Sequence, residues 1–198
     1  MMSALELVAV VLAVLYLALV IRENVWCWPA ALGGTLLSLV VFVDAKLYME
    51  AALQVFYAAM AVYGWHQWLR GGAGGEPVAI GVWPWRRHVL AIAGILLLTW
   101  AFGGVLAART DAALPYLDSF TTIAALVTTY MVAKKILENW IYWFVIDSVS
   151  VYLYVSRELF LFAALFVGYL VMVVIGYRVW VRQWRSERLG SEVPSGAH

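Results

Sequence analysis

The stretch Glu138-Asn139-Trp140-Ile141-Tyr142-Trp143-Phe144-Val145-Ile146-Asp147 sets two indoles and a carboxylate in a run that is otherwise mostly apolar. On an α-helix, at about 100° per residue, Trp140, Trp143 and Asp147 fall within an arc of about 60°. The same stripe continues through Val151 to Tyr154. Two π-surfaces followed by a carboxylate one turn further suit an aromatic cation. Rings stack on the indoles, cation–π attraction adds about 0.5–2 kcal/mol, and the carboxylate supplies the counter-charge. The competing explanation is a pair of interfacial tryptophans and an Asp that packs helices by bonding a neighbouring hydroxyl. A buried carboxylate with no task weighs against it.

Other polar residues join this candidate site. Gln54 is the one amide in the middle of its apolar run, and Tyr57, Tyr63, Trp65 and Gln67 follow it. Gln54 can hydrogen-bond a ligand or glue two helices together. Asn139 and Tyr154 complete the substrate-binding set: Trp140, Trp143, Asp147, Gln54, Tyr57, Trp65, Asn139 and Tyr154. Asp118, Thr121 and Thr122 stand where another apolar run begins. There Asp118 can cap a helix, or the three can gate entry to the site. Catalysis has little support. His66, His88 and His198 are far apart, with no paired spacing for zinc or haem, and no Gly-x-Ser-x-Gly element occurs. No cofactor or metal is expected, and an intramembrane enzyme is the alternative from a different class.

The elements that must hold these residues follow from composition. The chain has 198 residues, 65% hydrophobic and 13% charged, and its mean hydropathy is +0.88. A soluble domain carries about 25% charge, so most of this surface faces something other than water. Runs long enough to cross a bilayer lie at Ala4–Ile21, Trp26–Val43, Leu47–Trp68, Val89–Ala107, Leu117–Ala133, Ile136–Val155 and Leu159–Val181. The first lacks the basic start and cleavage site of a signal peptide and is read as a retained helix. Cys27 excludes a disulfide framework by being alone, and is read as a small buried thiol.

Charge sets the expected orientation. Seven helices put the termini on opposite sides. One side then holds Arg22, Arg70, Arg86, Arg87, Lys134, Lys135, Arg178, Arg182, Arg185 and Arg188, and the other Lys46, Arg109 and Arg157. Ten against three places the carboxyl terminus in the cytoplasm and the amino terminus outside. The 69–88 segment is a cytoplasmic loop with a flexible Gly-rich start, and the tail over 185–198 is expected to be disordered.

The chain also repeats itself. A shift of 112 residues lays Leu47–Trp68 on Leu159–Trp180 with ten of 22 positions identical, including Tyr57/Tyr169, Gly64/Gly176 and Trp68/Trp180. Upstream, a three-residue slip aligns Glu23-Asn24 and Trp28 with Glu138-Asn139 and Trp143. The expected fold is all-α: two parallel three-helix halves, 1–68 and 109–184, joined by a linker helix at 89–108. That 3+1+3 plan is the one of sugar-carrying SWEET proteins, with a substrate site between halves.

Several motifs together resemble the PnuC family of bacterial vitamin transporters. They are Asp118-Ser119-Phe120-Thr121-Thr122, Ala133-Lys134-Lys135, Glu138-Asn139-Trp140-x-x-Trp143-x-x-x-Asp147, Tyr63-Gly64-Trp65-His66-Gln67-Trp68 and Gln54-Val55-Phe56. The resemblance spans Glu23 to Trp180. It implies a homotrimer in the bacterial inner membrane, facilitated diffusion, and trapping of the substrate through phosphorylation by a cytoplasmic vitamin kinase. Nicotinamide riboside carriers of the family have Asn where this chain has Asp147. Thiamine and nicotinamide riboside are both cations, so charge does not separate them. The departure from Asn, with the Tyr142 context, tilts the expectation to thiamine, with nicotinamide riboside or riboflavin as the alternative.

Overall fold

The computed structural model describes residues 4–44, 48–110 and 114–191. Lys46, Leu47, His198 and the tail beyond Ser191, which figure in the expectations above, lie outside them. The described chain is helical: α1 Ala4–Ile21, α2 Cys27–Asp44, α3 Tyr48–Arg70, α4 Trp85–Arg109, α5 Pro115–Ala133, α6 Asn139–Ser156 and α7 Phe160–Ser191, with a short 3-10 turn at Ala73–Gly75. Among the described residues three segments, Cys27–Asp44, Trp85–Arg109 and Phe160–Leu189, are long and apolar enough to cross a membrane. The helices α3, α5 and α6 have 23, 19 and 18 residues. They have the length too but are less apolar, because they carry the Gln, Thr and Asp side chains of the candidate site.

The two ends of the long loop and the tail differ from expectation. α4 begins at Trp85, four residues before the apolar run, because Pro84 can open a helix whose first N–H groups need no partner. Gly81 pairs with Ile136 in an isolated parallel bridge, and Leu137 N–H donates to the Gly81 carbonyl at 2.8 Å. The second half of the loop is therefore tied down. α7 continues through Arg185 to Ser191, so that part of the expected disordered tail is helix. Leu, Arg and Glu have high helix propensity, and only one Gly interrupts the segment.

By internal contacts the chain forms two units. The first contains α1–α3 together with Ala133–Lys135. The second contains α4, the rest of α5, α6 and α7. In the first, α2 packs on both α1 and α3; in the second, α6 packs on α7. Ile95, Ile123, Ala124 and Ile146 draw α4, α5 and α6 into one buried cluster.

The units share one packing motif at the same 112-residue offset. In the first, Trp28 is 1% exposed and meets Trp68 edge-on at 5.5 Å. In the second, Trp140 is 1% exposed and meets Trp180 edge-on at 5.4 Å. Each indole also lies flat against a bare backbone: a Cβ on Gly64 would collide with the Trp28 ring, and one on Gly176 with the Trp140 ring. Trp28 thus corresponds to Trp140, not Trp143, and the three-residue slip read from the sequence is not present.

The turn before each Trp-bearing helix follows the same offset. Asn24 N–H donates to the Leu19 carbonyl and Ile136 N–H to the Met131 carbonyl, both at 2.9 Å. Glu23 (φ 51°) and Lys135 (φ 49°) occupy the left-handed position that ends each preceding helix. Such a residue reverses the chain so that the last carbonyls find donors. Glu158 (φ 60°) does the same after α6.

Candidate functional site

In the second unit, α6 and α7 carry a row of aromatic side chains that ends on a carboxylate. Tyr154 stacks on Phe162 at 5.5 Å and 23° and also lies 5.2 Å from Phe166. Phe166 meets Tyr169 edge-on at 5.4 Å. Tyr169 is in turn an electrostatic neighbour of Asp147. Asp147 is 4% exposed and has no hydrogen bond or ion pair among the described residues. Burial of a carboxylate is expensive without a partner, so this position calls for a donor or a cation that no described residue supplies.

At the other end of the row, Arg157 donates to Asp118 at 2.8 Å with both side chains about one-third exposed. Tyr154 is an electrostatic neighbour of both. Asp118 sits in the first turn of α5 rather than before it, so it closes an ion pair instead of capping the helix. Thr121 bonds back to the Leu117 and Asp118 carbonyls, and Thr122 is exposed. Of the three gating candidates, Asp118 alone reaches another helix end.

The other expected residues are distributed as follows. Trp143 is half-buried and packs against the cluster of Ile95, Ile123, Ala124 and Ile146. Trp140 shares its stripe, but Trp180 and Gly176 occupy its ring, so its stacking surface is taken up by the protein itself. Asn139 is fully buried and donates to the Ile136 carbonyl at 2.7 Å, which stitches the start of α6; its Oδ1 has no partner. In the first unit, Gln54 and Tyr57 are half-buried on one side of α3, and Trp65 is exposed.

Three features escaped the sequence reading. Tyr169 is the repeat counterpart of Tyr57, and that match was the signal that could have found it. Phe166 occupies the position of Gln54, where the residue type gave no hint. The third is a polar cluster at the start of α6. His88 Nδ1 and the Tyr142 hydroxyl are 3.0 Å apart, His88 Nε2 is 3.7 Å from Glu138, and Trp83 N–H donates to Glu138 at 3.3 Å. It anchors the loop segment that enters α4.

The Lys134-Lys135 motif is explained in the first unit. Lys134 donates to Gln67 at 2.9 Å and lies 5.4 Å over the Tyr63 ring. Lys135 pairs with Glu23 at 3.0 Å, both about nine-tenths buried, and lies 4.8 Å over Trp68. Two motifs far apart in sequence are thus one interlocked group.

Residues 3–182 match the family described as nicotinamide mononucleotide transporter. The chain belongs to that family, the family of PnuC. Relatives within it include the riboflavin/roseoflavin transporter RibM of Streptomyces davaonensis, 29% identical over 97% of this chain and 90% of RibM. The nicotinamide riboside transporter PnuC of Escherichia coli is 23% identical over 93% of this chain and 87% of its own. The fold is that of the crystal structure of the vitamin B3 transporter PnuC, with a TM-score of 0.70 at 22% identity over 90% of this chain and 81% of that one. A membrane transporter of the PnuC family accounts for the apolar helices and for the unpartnered polar groups set among them.

Proposed function

We propose that this transporter carries nicotinamide riboside, with riboflavin as the second reading. The observation that carries the proposal is Asp147, a buried carboxylate without a partner among the described residues, at the end of the Tyr154–Phe166–Tyr169 row. A pyridinium ring supplies the missing charge, and Trp143 and Tyr169 supply aromatic surfaces beside it. Asn139 and Trp140 position α6, and Gln54, Tyr57 and Trp65 are the candidate substrate contacts of the first unit. The relatives' names favour this over thiamine: nicotinamide riboside belongs to PnuC and riboflavin to RibM. RibM, at 29% identity, is the specific reason to keep riboflavin.

Transport is by uniport, since among the described residues no acid pairs with Asp147 to make a proton relay, and cytoplasmic phosphorylation by a vitamin kinase traps the substrate. The duplicated packing motif supports two three-helix repeats linked in sequence by α4, and the family resemblance supports a homotrimer in the inner membrane. The ten-to-three distribution of Lys and Arg supports a periplasmic amino terminus. The Asp118–Arg157 pair would then guard the periplasmic entry, with Thr121 and Thr122 beside it.

The test is titration of the purified protein and its Asp147→Asn variant with nicotinamide riboside, riboflavin and thiamine, beside uptake into sealed liposomes. The wild type binds nicotinamide riboside. Asp147→Asn installs the residue of the family's nicotinamide riboside carriers, so it keeps that binding, and any loss stays below about 1–3 kcal/mol, the scale of a charge-assisted bond. Riboflavin, which is neutral, loses less. Tight thiamine binding with none for the other two would overturn the substrate. Chemically altered substrate in the liposomes would reinstate the enzyme alternative.

A further inference from the structure

We infer that one face of α7 is a binding surface for anionic phospholipid headgroups. α7 has 32 residues, about 48 Å at 1.5 Å per residue, against a hydrocarbon core of about 30 Å. Counted from Phe160, the apolar core ends near Val179, so roughly the last dozen residues stand beyond it.

Along that helix, Arg178, Arg182 and Arg185 follow spacings of four and three and share an arc of about 60°. All three are exposed, and none has an ion pair among the described residues. The acid among them, Glu187, projects from the opposite side, about 180° from Arg178, so the face is purely cationic. Directly before it on the same face come Val167, Val171, Val174 and Ile175, exposed by 49, 58, 38 and 48%. The opposite side carries the fully buried Trp180.

An exposed apolar stripe followed by an exposed basic stripe repeats the order of a phospholipid, acyl chain then phosphate. Free phosphate or an acidic peptide would use the arginines but not the valines. The three arginines rise about 10 Å along the axis, comparable to the headgroup layer of about 5–8 Å on each side of the core. Each basic residue near an anionic surface adds roughly 1 kcal/mol of attraction. In the orientation proposed above this is the cytoplasmic leaflet, but the chemistry holds for either leaflet.

The test uses the full-length protein in nanodiscs of mixed phosphatidylcholine and phosphatidylglycerol, with both lipids in both leaflets, so the result is independent of orientation and substrate. Retained lipid is counted by native mass spectrometry, and thermal stabilisation by added phosphatidylglycerol is measured in detergent. Wild type retains phosphatidylglycerol preferentially. The variant R178Q/R182Q/R185Q loses that preference several-fold while vitamin binding is unchanged, and R86Q/R87Q, which removes charge elsewhere, keeps it. Should the triple variant not fold, R182Q alone must show an intermediate loss. Equal loss in both multiple variants, undiminished retention, competition by millimolar inorganic phosphate alone, or a changed oligomeric state without a change in lipid would each overturn the inference.

Discussion

The two units of this transporter share the same Trp–Gly–Trp lock but differ where polar chemistry is expected. Trp28, Gly64 and Trp68 in the first correspond one for one to Trp140, Gly176 and Trp180 in the second, with burial matched to within a few per cent for the indoles. Tyr57 corresponds to Tyr169. Yet the position of Asp147 in the second half is Thr35 in the first, whose hydroxyl turns back to the Leu32 carbonyl. The position of Trp143 is Ala31, and that of Phe166 is Gln54. Packing tolerates little change at an indole pressed against backbone, so the lock persists in both halves. A residue facing an unfilled polar position has no such constraint and is free to differ.

The largest expected effect probes the shared lock. Trp28→Ala and Trp140→Ala should each lower stability by about 3–5 kcal/mol, as large aromatic truncations in packed cores do. Thermal unfolding in detergent measures both. A tolerated Trp28→Ala beside a collapsed Trp140→Ala would break the equivalence.

Next comes the buried pair that joins two equivalent positions, Glu23 and Lys135. Lys135→Met strands a buried carboxylate and should cost about 3 kcal/mol, whereas exchanging the charges, Glu23→Lys with Lys135→Glu, should recover most of it. If the exchange is as unstable as the single variant, the pair is not what matters there, and the Lys135 contact with Trp68 is.

The smallest effect sharpens the role of the left-handed residues. Glu158 and Lys135 both bear a side chain where glycine is preferred, at a cost of about 1 kcal/mol. Glu158→Gly, at an exposed residue with no ion pair among the described residues, should raise stability by up to about that amount. Lys135→Gly should lower it, because the lost pair with Glu23 outweighs the relieved backbone. Unfolding midpoints that move in the same direction for both would contradict this account.

Much of the framework was legible from residue order. All seven runs became helices, with α1 ending at Ile21 as expected, because a long apolar segment has few ways to satisfy its backbone other than by helix. The repeat was visible through Tyr57, Gly64 and Trp68, but its upstream register was misread. Glu-Asn followed by Trp is a chemical match at a slip of three residues, whereas turn geometry and indole packing obey the offset of 112. The extension of α7 was missed because charge and polarity argue for solvent, not against helix.

Trp140 shows where one-dimensional reasoning stops. Helical periodicity places it on the Asp147 stripe, and that placement is correct. Whether its ring faces a ligand or a glycine 36 residues later depends on which helix packs there. Asp118 is similar: its position at the start of α5 allows a cap, and the nearness of Arg157 in space makes it an ion pair. Composition and periodicity by themselves determined a helical membrane protein with a duplicated plan and a few costly polar groups, since those follow from transfer energies and local geometry. Which polar groups found partners, and that Asp147 has none among the described residues, was decided only by tertiary packing, because a hydrogen bond or a ring contact requires two residues to meet and sequence separation does not encode that distance.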